Sequence, residues 1–238
     1  MSIAENIAQV RKRIETAARR ARRGPNEIAL MAVSKTFAAD HIRAAYDAGI
    51  RTFGENRVQE FAEKAGAIRD LTEARWHMIG HLQSNKAASA AQLFHAIDSV
   101  DSVRLARKLN GAASEIGKKI PVLIEINIGG EIAKSGLTAG SDELNQLLSV
   151  ASELPSLQFR GLMAIPPYND DPEKSRPFFR ELRKLFEQIS SQNLPDVSME
   201  TLSIGMSHDF EVAIEEGATC IRVGTAIFGE RKSARSET

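Results

Sequence analysis

Lys35 ends an apolar run, Ile28-Ala29-Leu30-Met31-Ala32-Val33-Ser34-Lys35. An amine where a buried strand spills into its loop is well placed to lose a proton and attack a carbonyl carbon. Partial burial and a neighbouring cation would both favour the neutral, nucleophilic form. Near the other end, Gly205-Met206-Ser207 and Arg222-Val223-Gly224-Thr225 look like two halves of a phosphate cradle. Glycines let backbone N–H groups approach an oxyanion closely, and the hydroxyls of Ser207 and Thr225 add donors. Thr225 to Phe228 reads as a short helix whose positive end faces that anion. Taken singly, each half also reads as ordinary turn and N-cap residues.

Other polar residues gather at expected strand ends. Asn56 lies in Gly54-Glu55-Asn56-Arg57-Val58-Gln59-Glu60, where Glu55 and Arg57 read as a local pair. His77, Gly80, His81, Gln83 and Asn85 crowd a third strand end, with Ser84 as a cap for the next helix. Two histidines four apart invite a zinc reading. They straddle a strand end, however, and the sequence brings no carboxylate or thiol to them, so no metal is expected. Arg222 reads either as a cation facing the pocket or as a structural arginine paired to a carboxylate such as Glu200.

These residues need a frame. Ile3, Ile7, Val10, Ile14 and Ala17 form one apolar face of an N-terminal helix, ending in Arg19, Arg20, Arg22 and Arg23. Strands are expected near 28–34, 52–55, 76–79, 94–97, 122–128, 157–163, 198–203 and 219–223, with helices between them. Gly49 is the stop of one helix, and Pro177 marks the uncertain start of a long Phe-rich one. Eight alternating units with short links predict an α/β fold, a single (β/α)8 TIM-type barrel with an extra N-terminal helix. A doubly wound open sheet is the alternative. The expected boundaries are 1–26 for the helix, 27–231 for the barrel and 232–238 for a frayed tail, one domain overall. Such barrels place reactive groups at the C-terminal ends of strands and bind phosphate after strands seven and eight.

The 238 residues carry 31 basic and 31 acidic side chains. That neutral balance gives no support to nucleic-acid or acidic-membrane binding. A single cysteine, Cys220, forms no internal disulfide and fits a reducing compartment. With no signal-like or membrane-spanning run in sight, a cytoplasmic protein is expected.

As an ordered set, Val33-Ser34-Lys35-Thr36, Phe53 to Glu60, Ile79 to Lys86, Gly161-Leu162-Met163, Ser203 to Asp209 and Arg222 to Thr225 closely resemble the pyridoxal phosphate homeostasis protein family. That family is similar to the N-terminal barrel of alanine racemase. The resemblance spans about residues 28–230. It implies pyridoxal phosphate (PLP) held as a Schiff base on Lys35 and Arg222 near the pyridine nitrogen. It also implies phosphate held by Ser207, Gly224 and Thr225, with Met206 and Asn56 lining the pocket. An arginine there keeps the pyridine nitrogen unprotonated and weakens the ring as an electron sink. The chain departs from the family at Ile204, directly before Gly205-Met206-Ser207, where packing in the barrel is expected.

Three functions fit these residues. The first is a non-catalytic PLP carrier or buffer in vitamin B6 homeostasis, a monomer with PLP-dependent apoenzymes as recipients. The second is an amino-acid racemase, which needs a proton donor on each face of the substrate. Beside Lys35, the sequence offers only Tyr168, in a loop that reads as surface, and the weaker His81 and Lys134. The third is an aldolase-type barrel enzyme with Lys35 acting on a phosphorylated substrate directly.

Overall fold

A computed structural model describes residues 1–131 and 134–230. The expected tail at 232–238 lies outside the described residues. Eight parallel strands close into a barrel in the order β1 to β8. They are β1 (Ala29–Val33), β2 (Thr52–Glu55), β3 (Arg75–Met78), β4 (Ala96–Val100), β5 (Ile120–Ile126), β6 (Leu157–Ala164), β7 (Val197–Met206) and β8 (Cys220–Val223). β8 returns to β1 with Met31 opposite Arg222 and Ala32 opposite Val223. The first and last strands are therefore neighbours, and the open-sheet alternative is excluded.

Helices cover the outside: α1 (Ile3–Arg20), α2 (Ala39–Asp47), α3 (Val58–Ala65), α4 (Ala87–Leu93), α5 (Val103–Glu115), α6 (Asp142–Ser149), α7 (Arg176–Ser191), α8 (Phe210–Glu215) and α9 (Thr225–Phe228). Most of the core lies between this layer and the sheet, where one large apolar cluster joins strand and helix side chains. A smaller cluster of Met31, Val33, Ile79 and Cys220 fills part of the barrel interior. Ile204 is fully buried in the large cluster.

Local chemistry sets the helix ends. Ser2 and Glu5 form a capping box at α1, and its buried face is Ile7, Val10, Ile14, Ala17 and Ala18. α1 then clamps the end of the barrel. Asn6 Nδ2 donates to the Ile227 carbonyl at 2.8 Å, and Arg13 makes a bidentate pair with Glu211 at 2.6 and 2.9 Å. Pro177 sits in the first turn of α7, where its missing N–H costs nothing. Ser84 does not cap a helix. It is the first residue of a 3-10 turn, Ser84–Lys86, that leads into α4.

Strand limits moved where polar residues are buried. β4 starts two residues later and ends three residues later than the expected 94–97, running through Asp98 and Ser99, both inside the protein. Asp98 bonds His77, and Ser99 Oγ donates to the Gly80 carbonyl at 2.6 Å.

Candidate functional site

The ends of β1, β2, β3, β7 and β8 frame a cavity of ≈ 490 Å³ at the C-terminal mouth of the barrel. All seven residues singled out in the sequence line it: Lys35, Asn56, Met206, Ser207, Arg222, Gly224 and Thr225. They come from strand ends, loops and the start of α9, far apart in sequence, and closure of β8 onto β1 brings them together.

Lys35 is half-buried, one residue beyond the fully buried Ser34. The loop that carries it is fixed from below. Ser34 Oγ donates to Glu55 Oε1 at 2.5 Å, and Lys64 Nζ reaches the same oxygen at 2.9 Å. Lys64 also donates to the Ser34 carbonyl at 3.1 Å, and the Thr36 N–H donates to Glu60. Thr36 has φ of +68°, a left-handed conformation that a β-branched residue adopts only when its surroundings impose it. Glu55 therefore does not pair with Arg57 as expected; its partner comes from the far end of α3. Burial pushes the Glu55 carboxyl above its ordinary pKa, against the pull of Lys64 and Ser34.

Arg222 is 3% exposed. Its guanidinium donates to Ser203 O at 2.6 Å, Ser203 Oγ at 2.8 Å and Ala164 O at 2.9 Å. These acceptors are neutral, so they orient the cation without cancelling its charge. Glu200 pairs with Arg160 instead, at 2.5 Å. Burial pushes the Arg222 pKa below the ordinary guanidinium value, yet such a group stays charged near neutral pH.

The cradle is built from two loops stitched through Ser207. Its Oγ accepts from the N–H groups of Gly224 at 3.1 Å and Ala226 at 3.3 Å, which leaves the hydroxyl proton to donate to an anion. Asp209 fixes this loop by accepting the Met206 N–H at 2.7 Å. Gly205 plays a different part from the one expected. Its φ is +87°, and a Cβ there would sit 2.5 Å from Ala213 Cβ, so it lets the chain turn tightly against α8.

Sequence reasoning missed several lining residues. Phe37 faces the cavity and stacks on Phe228 of α9 at 4.8 Å. His208 also lines it, with its ring 5.5 Å from that of Tyr168, which the sequence itself offers as a proton donor. Tyr168 is 73% exposed and hangs at the rim, so the loop expected as surface serves both roles. His208 sits inside a quoted motif, and its neighbour Ser207 was the signal available. His81 pairs with Asp101 and Lys134 with Glu131. His77 pairs with Asp98, so each histidine of the suspected zinc pair has a carboxylate that only the fold supplies.

The donor set fits an anion that carries a second polar end. Asn56 Oδ1 and His208 Nε2 are buried polar atoms without a hydrogen-bond partner, on residues that line the cavity. With the Ser207 hydroxyl, Arg222 and Lys35, they give the cavity a polar group on several sides.

Fold and site together define a TIM-type barrel with a lysine, a buried arginine and two hydroxyl- and glycine-bearing loops around one mouth. The alanine racemase N-terminal domain model matches residues 5–232. The pyridoxal phosphate homeostasis protein of Aquifex aeolicus is 44% identical over 232 residues, covering 98% of this chain and all of its own. That of Escherichia coli K12 is 44% identical over 231 residues, 96% and 97% of the two chains. PipY of Synechococcus elongatus PCC7942, solved with PLP bound, superposes with a TM-score of 0.84 at 38% identity, covering 96% of this chain and 100% of its own. The chain belongs to the pyridoxal phosphate homeostasis protein family, whose barrel is of the alanine racemase N-terminal type.

Proposed function

We propose that this chain binds PLP at the barrel mouth and serves PLP homeostasis as a carrier or buffer rather than as a catalyst. The observation that carries the reading is the convergence of Lys35, Arg222 and the Ser207–Gly224–Thr225 cradle on one cavity. When bound, PLP supplies an aldehyde electrophile and a phosphate handle. Lys35 offers the amine for an imine link to that aldehyde. Ser207, Gly224 and Thr225 would hold the phosphate, Arg222 would donate toward the pyridine nitrogen, and Asn56 and Met206 would line the ring. The names and full-length coverage of the relatives support the homeostasis role. We place the protein in the cytoplasm as a monomer, with PLP-dependent apoenzymes as recipients.

The presence of Tyr168 at the cavity rim favours amino-acid racemisation as a second reading. α-Hydrogen exchange on D- and L-amino acids separates the two, because a carrier exchanges neither.

The test is the visible spectrum before and after added PLP, followed by borohydride reduction and peptide mapping. A yellow protein with the reduced adduct on Lys35 is expected. In Lys35→Ala the band is lost, while weak binding persists through phosphate contacts worth about 1.5–3 kcal/mol each. An adduct on another lysine, or an unchanged spectrum in the variant, overturns the assignment.

A further inference from the structure

The opposite end of the barrel carries a second cavity, of ≈ 400 Å³, at the N-terminal ends of β3, β4 and β5. Arg75, His95, Lys118 and Lys119 surround it, and His77 reaches it from within the barrel. The chain has no net charge, so this concentration of cations comes from placement rather than composition. Among the described residues, Arg75, Lys118 and Lys119 form no ion pair. Lys118 is spent on the end of α4, where Nζ donates to the carbonyls of Ala91 at 3.1 Å and Gln92 at 3.0 Å.

The histidines complete the pattern. His77 Nδ1 contacts both Asp98 oxygens at 3.1 Å. Against the opposing effect of burial, that carboxylate holds the imidazole above its ordinary pKa. His95 Nδ1 accepts the Trp76 N–H at 3.1 Å, so the neutral ring carries its proton on Nε2 and presents a donor. Burial, and then the charges of Arg75 and Lys118, keep His95 below its ordinary pKa. Between these donors the wall is apolar, with Phe94, Ile120 and Pro121.

We propose that this cavity is an anion site, distinct from the barrel mouth, that takes a small phosphate-monoester dianion. Arg75, Lys119 and the Nε2–H of His95 hold the phosphoryl oxygens, and the apolar wall receives the organic part. Arginine and lysine at the rim of a pocket give charge-assisted bonds to such oxygens. The proposal does not depend on what the mouth binds.

The test uses the full-length protein titrated with phenyl phosphate at constant ionic strength, read by NMR at the His95 ring and at the Gly224 amide. The Gly224 amide reports the mouth cradle and serves as an internal control. His95 is expected to shift saturably. In Arg75→Gln/Lys119→Gln its apparent affinity falls at least about tenfold while the Gly224 response is unchanged. Both residues are exposed, and Lys118 is left in place to keep the α4 end intact. If the double variant unfolds, Lys119→Gln alone is measured and must still weaken the response. A His95 ring that does not move, moves equally with chloride, or responds unchanged in the variant overturns the site.

Discussion

Lys64 lies 2.9 Å from Glu55 beneath the loop that carries Lys35, an ion pair in which the carboxylate is fully buried. Glu55 also takes the Ser34 hydroxyl, and Lys64 takes the Ser34 carbonyl, so two charges from β2 and α3 grip one residue of β1's exit. The position of Lys35 therefore depends on a pair that does not itself line the cavity.

Lys64→Met is expected to cost about 3–5 kcal/mol, because it strands a buried carboxylate. Glu55→Gln retains an acceptor for Ser34 and should cost less. Urea denaturation of both variants checks the order. A Lys64→Met penalty below about 1 kcal/mol would show that the pair does not support the loop.

Glu125 is buried, with Oε1 taking the Ser135 hydroxyl at 3.0 Å and Oε2 unpartnered. Burial pushes its pKa above the ordinary carboxylate value, outweighing Ser135. A raised folded pKa means that its stabilising effect is complete below the unfolded value, near 4.5, and is lost as pH rises through the folded one. Glu125→Gln, a neutral mimic, should thus raise stability at pH ~7 and leave it nearly unchanged at pH ~4. Equal effects at the two pH values would contradict the titration.

Gly80→Ala is expected to weaken PLP binding without touching the ligand. A Cβ at Gly80 would press on the Asn56 carbonyl oxygen and lie 2.8 Å from Asn56 Cα, forcing that residue out of the cavity wall. Spectral titration of the variant should give a larger dissociation constant, and the melting temperature should also fall because the overlap is with backbone atoms. A variant that binds as tightly as the parent would remove Asn56 from the set.

Cys220 lies inside the barrel, and burial, then the Asp98 charge, pushes its thiol up to about 12. Such a thiol is inert, since only the thiolate attacks. Native protein should resist a thiol reagent and react fully in denaturant, so the labelling rate reports opening of the barrel. Rapid labelling under native conditions would refute this burial.

Most of the strands were legible because they show a short apolar run between turn residues, and Lys35 and Gly224 because they sit where such runs stop. Glu55, Asp98 and Asp209 were not. Each is a buried carboxylate whose partner, Lys64, His77 or the Met206 N–H, meets it only once elements pack or a loop closes. Burial of Asp98 likewise hid the last residues of β4, since a polar residue inside a barrel breaks the apolar signal that marks a strand. Gly205 shows the reverse error. Its place beside the cradle suggested anion approach, whereas its backbone angle and the nearness of α8 give it a packing reason.

Pairing of β8 with β1 has a consequence for synthesis. The segment bearing Lys35 is made well before its neighbours Arg222, Gly224 and Thr225. A nascent chain therefore holds the lysine long before the residues that face it, so the complete cavity exists only once β8 has been made and has paired with β1.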